Sequence, residues 1–188
     1  MPAATAEDLS AARRILFHGV TGSGKSTAAT RLGAVLDLPV TLVDEEIGWL
    51  PGWEMRDVDE QIALADRISS GAAWILDSAY GSYRPMVAER ADLIVGLDYS
   101  RALTGRRLLR RTLSRNVRRT PTCNGNRETW ARTVGKDSIL RWHARTFDRK
   151  RAWIRARQTD PEGTPVLRLA HPRQWEQVLS RMSDARRG

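Results

Sequence analysis

The sequence predicts an α/β fold in which helices pack on a parallel sheet. Two observations predict it. Short apolar runs alternate along the chain with segments of helical periodicity, and the first of those runs feeds a glycine-rich loop that opens directly into a helix. Short strands alternating with helices pair in parallel through right-handed crossovers.

Residues 1–12 are small and polar with no partner pattern, which predicts a flexible arm or a short lead-in turn. Ile15, Leu16 and Phe17 form a buried strand ending at Gly19. From Ser26 the chain reads as helical, with Leu32, Val35 and Leu36 on one buried face and Pro39 marking the end. Val40 to Val43 is a second strand. Asp57-Val58-Asp59-Glu60 starts a capped helix whose Val58, Ile62, Ala65 and Ile68 line one side, and Gly71 closes it. Trp74-Ile75-Leu76, Leu93 to Leu97 and Val166 to Leu169 supply three further strands. Pro172 sits at a favoured first helical position, followed by a docking stripe of Trp175, Val178, Leu179 and Met182. Between about 116 and 136, Pro121, Asn124, Gly125, Asn126 and Gly135 break an arginine-rich helical region in two, which predicts a mobile loop able to act as a lid.

The chain of 188 residues suits one domain spanning 1–188, and its 41% apolar and 28% charged content is ordinary for a folded soluble protein. No apolar run approaches the roughly 20 residues of a membrane helix, and the start lacks a secretory stretch, so no membrane partner and a cytoplasmic location are expected. Cys123 is the only cysteine, which excludes an internal disulfide and a four-cysteine zinc site. The net charge of +9 points to an anionic ligand. Segment 101–119 concentrates it in eight arginines, whose planar donor forks suit phosphate oxygens, although a solvated helix face explains any one of them equally well.

Residues 19–26 read GVTGSGKS, a full match to the G-x-x-x-x-G-K-[ST] pattern in the strand-to-helix context it requires. Glycines let successive N–H groups face inward, and the following helix adds its partial positive charge. The candidate cradle for ATP is therefore Gly19, Thr21, Gly22, Ser23, Gly24, Lys25, Ser26 and Thr27. Lys25 is expected on the β- and γ-phosphates, Ser26 on Mg2+ and Thr27 on an α-phosphate oxygen. The glycine spacing does not fit a dinucleotide fingerprint.

A magnesium nucleotide site also needs a carboxylate at a neighbouring strand end. Asp44, Asp77 and Asp98 each follow a strand. Asp77, after a continuous apolar run, suits a metal-organising acid, and Asp44 suits a group that orients or deprotonates an acceptor hydroxyl. A capping or turn role is the plainer alternative for each, and it is the preferred one for Asp98.

The stretches GVTGSGKST, LVDEEIGWLPGW, WILDSAY and ADLIVGLD, with the run of arginines, resemble the small P-loop kinases related to adenylate and shikimate kinases. Within these they are most similar to bacterial proteins described as DNA topology modulation proteins or adenylate kinase-like ATP-binding proteins. The resemblance runs from Arg13 to Met182. It implies a P-loop NTPase three-layer sandwich with a five-stranded parallel sheet in the order 2-3-1-4-5 and an arginine-rich helical lid after strand four. It puts Arg111 and Arg115 at the lid base, against ATP and the transferring phosphoryl, with Arg127, Glu128 and Arg132 in or just after the lid. Trp49, Pro51, Gly52 and Trp53 fall on the acceptor side, and the loop from Ala170 to Gln174 near the adenine. Asp77 is followed by Ser-Ala-Tyr rather than the Gly-x-Pro-Arg type of sequence, so the resemblance does not imply AMP as acceptor. Arg56 and Arg84 remain available for an anionic one.

The expected activity is ATP-dependent phosphotransfer to a small acceptor, nucleotide-like or otherwise. Lys25, Asp44, Arg111 and Arg115 form the candidate catalytic set, Ser26 and Asp77 hold metal, and Asp44, Trp49, Trp53, Asp77, Arg84 and Arg127 form the acceptor set. A nucleic-acid-associated ATPase or modulator of DNA topology is the alternative, motivated by charge but unsupported by any nucleic-acid-binding motif. A GTPase switch is disfavoured, because neither Asn-Lys-x-Asp nor D-x-x-G is present.

Overall fold

The computed structural model describes residues 4–135 and 138–185. Five parallel strands form the central sheet: β1 (Arg14–Gly19), β2 (Val40–Thr41), β3 (Trp74–Leu76), β4 (Leu93–Leu97) and β5 (Val166–Leu169), lying side by side in the order 2-3-1-4-5. Side chains alternate across a strand, so β1, β3, β4 and β5 each feed two cores. Ile15, Phe17, Ile75, Val95 and Leu167 enter one apolar cluster, and Leu16, Trp74, Leu76, Ile94 and Val166 enter the other. Three layers result.

Eight α-helices lie among the described residues, before, between and after these strands: α1 (Ala6–Ala11), α2 (Lys25–Leu36), α3 (Val58–Ser69), α4 (Arg84–Arg90), α5 (Arg101–Arg118), α6 (Trp130–Val134), α7 (Ile139–Thr159) and α8 (Pro172–Ala185). Helices α1, α2 and α8 contribute Leu9, Leu32 and Trp175 to the first core, while α3, α4 and α7 contribute Ala65, Val87 and Ile154 to the second. Helix α7 comes so close to the sheet that a Cβ at Gly96 on β4 would lie 2.6 Å from Ile154 Cγ2, so only glycine fits there.

Three expectations need correction. Residues 4–12 are not a loose arm: Thr5 and Asp8 form a reciprocal capping box, and Leu9 of α1 is fully buried against α8. Residues 1–3 lie outside the described residues. The second strand stops at Thr41, because the Val43 N–H turns to donate to Asp77 Oδ1 at 2.9 Å and the chain winds into a π-helical turn over Asp44–Gly48. The segment expected as a loop from 116 to 136 is largely structured. It contains the end of α5, an antiparallel hairpin pairing Pro121–Thr122 with Asn126–Arg127, and α6, with Asn116 donating to Thr133 Oγ1 at 2.9 Å; Lys136 lies outside the described residues.

Candidate phosphate-binding and acceptor site

The glycine-rich loop leaves the carboxyl end of β1 and enters α2 through Gly24, which sits at a left-handed φ of 94° and, having no side chain, leaves the first turn of the helix without a side-chain cap. Uncapped N–H groups at a helix start are ready for an anion. Gly22 has φ 85°, and a Cβ there would lie 2.5 Å from the Thr104 carbonyl oxygen of α5. Backbone conformation and crowding both demand glycine. Helix α5 thus roofs the loop, and Arg107 Nη1 reaches the Ser23 carbonyl at 3.5 Å.

Strand β3 closes the loop from the other side. Ser26 Oγ donates to Asp77 Oδ2 at 2.5 Å, and the Asp77 residue is only 4% exposed. Burial raises its carboxyl pKa, opposed by the hydrogen bonds from Ser26 and Val43 and by the charge of Lys25. Lys25 donates to the Val20 carbonyl at 3.3 Å. Loss of solvent lowers its pKa, against the pull of Asp77 and Asp44, and Arg111 stands near enough to lower it further. Thr21 lies within the loop, and Thr27 is exposed in the first turn of α2.

Asp44 opens the π-helical turn after β2 and accepts the Tyr80 hydroxyl at 2.6 Å. Burial first and then the Asp44 charge push the Tyr80 pKa up, so the phenol stays a proton donor. Arg111 faces Asp44 and Lys25 electrostatically, with its own pKa lowered by burial and by Arg115. Arg115 instead ion-pairs with the largely buried Glu128 at 3.5 Å, which ties α5 to the segment after the hairpin.

Trp49 and Trp53 meet edge to face with centroids 5.5 Å apart, but Trp53 is not a free plate for a ligand. Its indole N–H donates to the Arg127 carbonyl at 2.9 Å, and its ring lies under the Arg132 guanidinium. The hairpin is docked on this turn by four more bonds. Asn124 Nδ2 donates to the carbonyls of Glu45 and Trp49, each at 2.6 Å, Asn126 Nδ2 donates to the Leu50 carbonyl at 2.8 Å, and Asn126 Oδ1 accepts the Trp53 N–H at 2.7 Å. Trp53 is held in this latch at a left-handed φ of 61°. Arg127 takes part through its carbonyl while its side chain stays exposed. The hairpin within the segment expected as a lid and the segment expected to bind the acceptor therefore form one interlocked unit.

Asp98 is a structural anchor. Its fully buried carboxylate accepts Arg155 at 3.0 Å and Arg168 at 2.9 Å, as well as Arg151, pinning α7 and β5 to the end of β4. Burial alone would raise its pKa, but the hydrogen bonds from Arg151, Arg168 and Arg155 outweigh it and hold the carboxyl below its ordinary value. Arg56 is also occupied, donating to the Ile47 carbonyl at 3.1 Å. Arg84 lies over Trp153 with Cζ 5.1 Å from the ring centroid, on the face of the sheet covered by α7.

Residues not singled out in the sequence complete the site. His18, just before the glycine loop, is 3% exposed and packs against Trp153 with the rings tilted by 44° and their centroids 4.3 Å apart. Loss of solvent, with Arg84, Lys25 and Lys150 nearby, drives its pKa well down and keeps the imidazole neutral. Lys150 of α7 has its pKa lowered to about 7, first by burial and then by Lys25, an effect that Asp44 partly offsets. Among the described residues no group of three or more His, Cys, Asp or Glu side chains could hold a metal ion, and no helix is long and apolar enough to cross a membrane.

No protein-family model matches the sequence, and no curated protein matches it. Solved structures do match. The chain is similar to a gluconokinase from Sinorhizobium meliloti 1021, with a TM-score of 0.50 and 18% identity over 92% of this chain and 94% of that one. It is also similar to a deoxyadenosine kinase from M. mycoides, solved with the products dCMP and a flexible dCDP, with a TM-score of 0.50 and 12% identity over 91% of this chain and 97% of that one. At such identities the likeness establishes the fold, which is that of P-loop kinases.

Proposed function

We propose that the chain is a kinase that transfers the γ-phosphoryl group of magnesium-bound ATP to a small acceptor, and that it belongs with the adenylate kinase-like and DNA topology modulation proteins it resembles. The observation that carries this reading is the Ser26–Asp77 pair beside Lys25, at the mouth of a glycine loop roofed by α5. A hydroxyl and a carboxylate are the hard oxygen donors that Mg2+ takes, and one carboxylate with substrate phosphates is its usual complement. When bound there, the ion would neutralise charge on the β- and γ-phosphates. Lys25 and Arg111 would hold the transferring group from either side, and Asp44 would orient or deprotonate the acceptor. Catalysis on this reading is positioning and electrostatics. The test is Lys25→Ala: transfer of phosphoryl from ATP to acceptors in a metabolite panel, read as mass gain, should vanish while the fold persists. Undiminished transfer would refute the reading.

A second reading, a nucleic-acid-associated ATPase, draws on the exposed Arg106, Arg110 and Arg118 of α5 and on Arg119 at its C-cap. Other arginines of the chain are engaged internally, Arg107 on the loop, Arg115 on Glu128, and Arg151 and Arg155 on Asp98, and this favours the kinase. ATP turnover that appears only with DNA, and DNA affinity that falls steeply with salt, would reverse the preference.

A further inference from the structure

Four groups near the phosphate loop carry polar atoms without hydrogen-bond partners. The Nε2 of His18 and the hydroxyl of Tyr83, on residues 3% and 1% exposed, have no hydrogen-bond partner, and neither does the buried Nε of Arg84. Lys150 makes no hydrogen bond or ion pair among the described residues. Trp153 joins them: His18 packs against its ring at a tilt, and the guanidinium groups of Arg84 and Arg157 lie 5.1 Å and 5.7 Å from the ring centroid.

Leaving buried polar groups without partners is costly, and the two half-buried cations beside them have no ion-pair partner among the described residues. The nearby carboxylates are already engaged, Asp44 with Tyr80 and Asp77 with Ser26 and Val43. A cluster of unmatched donors against an aromatic wall is the composition of an anion subsite. Lys150 lies within electrostatic reach of both Lys25 and Asp44, so the cluster adjoins the place where phosphoryl transfer would occur.

We propose that this cluster binds a permanent anionic group of the acceptor, a carboxylate or a phosphate, held by Arg84 and Lys150 with His18 and Tyr83 as neutral donors. The substrate class is then a negatively charged metabolite, such as a sugar acid or a phosphorylated sugar or nucleoside, and neutral sugars and nucleosides are poor acceptors. The inference rests on the kinase reading for the identity of the acceptor, but its test does not.

Inorganic phosphate and, in a separate arm, acetate are titrated calorimetrically into the intact protein saturated with magnesium and a non-hydrolysable ATP analogue. The same titrations are run on Lys25→Ala, whose phosphate loop no longer competes for the anion. One anion per chain should bind. Arg84→Gln and Lys150→Met should each weaken it at least tenfold, Lys150→Arg should retain it, and analogue affinity should change less than twofold. Stronger binding of phosphate or of acetate identifies which anion the subsite prefers. Equal anion affinity in the variants, or no anion binding in either background, overturns the proposal. Failure of the analogue to bind would instead count against the kinase reading, and the Lys25→Ala titration would still decide the subsite.

Discussion

The Tyr80 hydroxyl donates to Asp44 Oδ1 at 2.6 Å, joining the loop after β3 to the turn after β2 across the mouth of the site. One carboxylate oxygen is thereby engaged, and its orientation is set by a phenol that burial keeps protonated. Tyr80→Phe should leave ATP affinity unchanged and lower kcat by about tenfold, because Asp44 loses its orienting donor. Asp44→Asn should cost roughly 10²- to 10⁴-fold, the usual range for removing a positioned acid or base. Steady-state kinetics on a purified acceptor separate the two.

Asn126 is the centre of the hairpin latch, bonded to Leu50 and Trp53 and to the Cys123 carbonyl within its own hairpin. Asn126→Ala should raise proteolytic cleavage within residues 121–127 about tenfold or more, since each lost bond is worth roughly 1 kcal/mol of closure. Saturating ATP should restore protection if the nucleotide draws the arginines of α5 inward. Limited proteolysis with and without nucleotide reads both effects.

Asp98→Asn should destabilise the fold by about 3 kcal/mol, the scale for breaking a buried ion pair and leaving its partners behind. Because the folded carboxyl titrates below its ordinary value, its contribution is present above about pH 4 and lost as pH falls through the folded pKa. Acid unfolding of the wild type should therefore include a step that Asp98→Asn lacks. Thermal melts between pH 2 and 6 report it.

Lys150 points the opposite way. Its folded pKa of about 7 lies below the ordinary lysine value, so the unfolded chain binds the proton more tightly over the interval between them. Stability from this group rises with pH from about 7 towards 10.5 and is at its lowest below pH 7. Lys150→Met should raise Tm at pH 7 by a few degrees while weakening anion binding, a stability gain at the expense of a functional group. Paired melts at pH 6 and pH 10 should show the advantage of the variant shrinking at the higher pH.

The parallel sheet and the phosphate loop were legible because their signals are local: an apolar run, a glycine spacing and a helix start occupy adjacent residues. Asp77 was legible for the same reason, standing directly after its strand. Lys150 and Trp153 were not, because both sit in an arginine-rich helix whose sequence reads as a solvated face, and only the approach of α7 to β4 at Gly96 brings them to the loop. His18 read as one more strand residue. The lid was misjudged from its glycines and asparagines, which build a hairpin with Cys123, Asn124 and Gly125 all at positive φ rather than a loose connection. The lead-in helix did carry a signature, Thr5 followed three residues later by Asp8, which the small polar composition around it obscured.

Trp53 gives the lid a direction. A bulky residue at φ 61° lies in a region that costs an L-residue roughly 1–2 kcal/mol, and two of the bonds keeping it there end on the hairpin. If the hairpin lifts, Trp53 is free to relax to an extended conformation. Opening of the latch would then release the backbone strain held at Trp53.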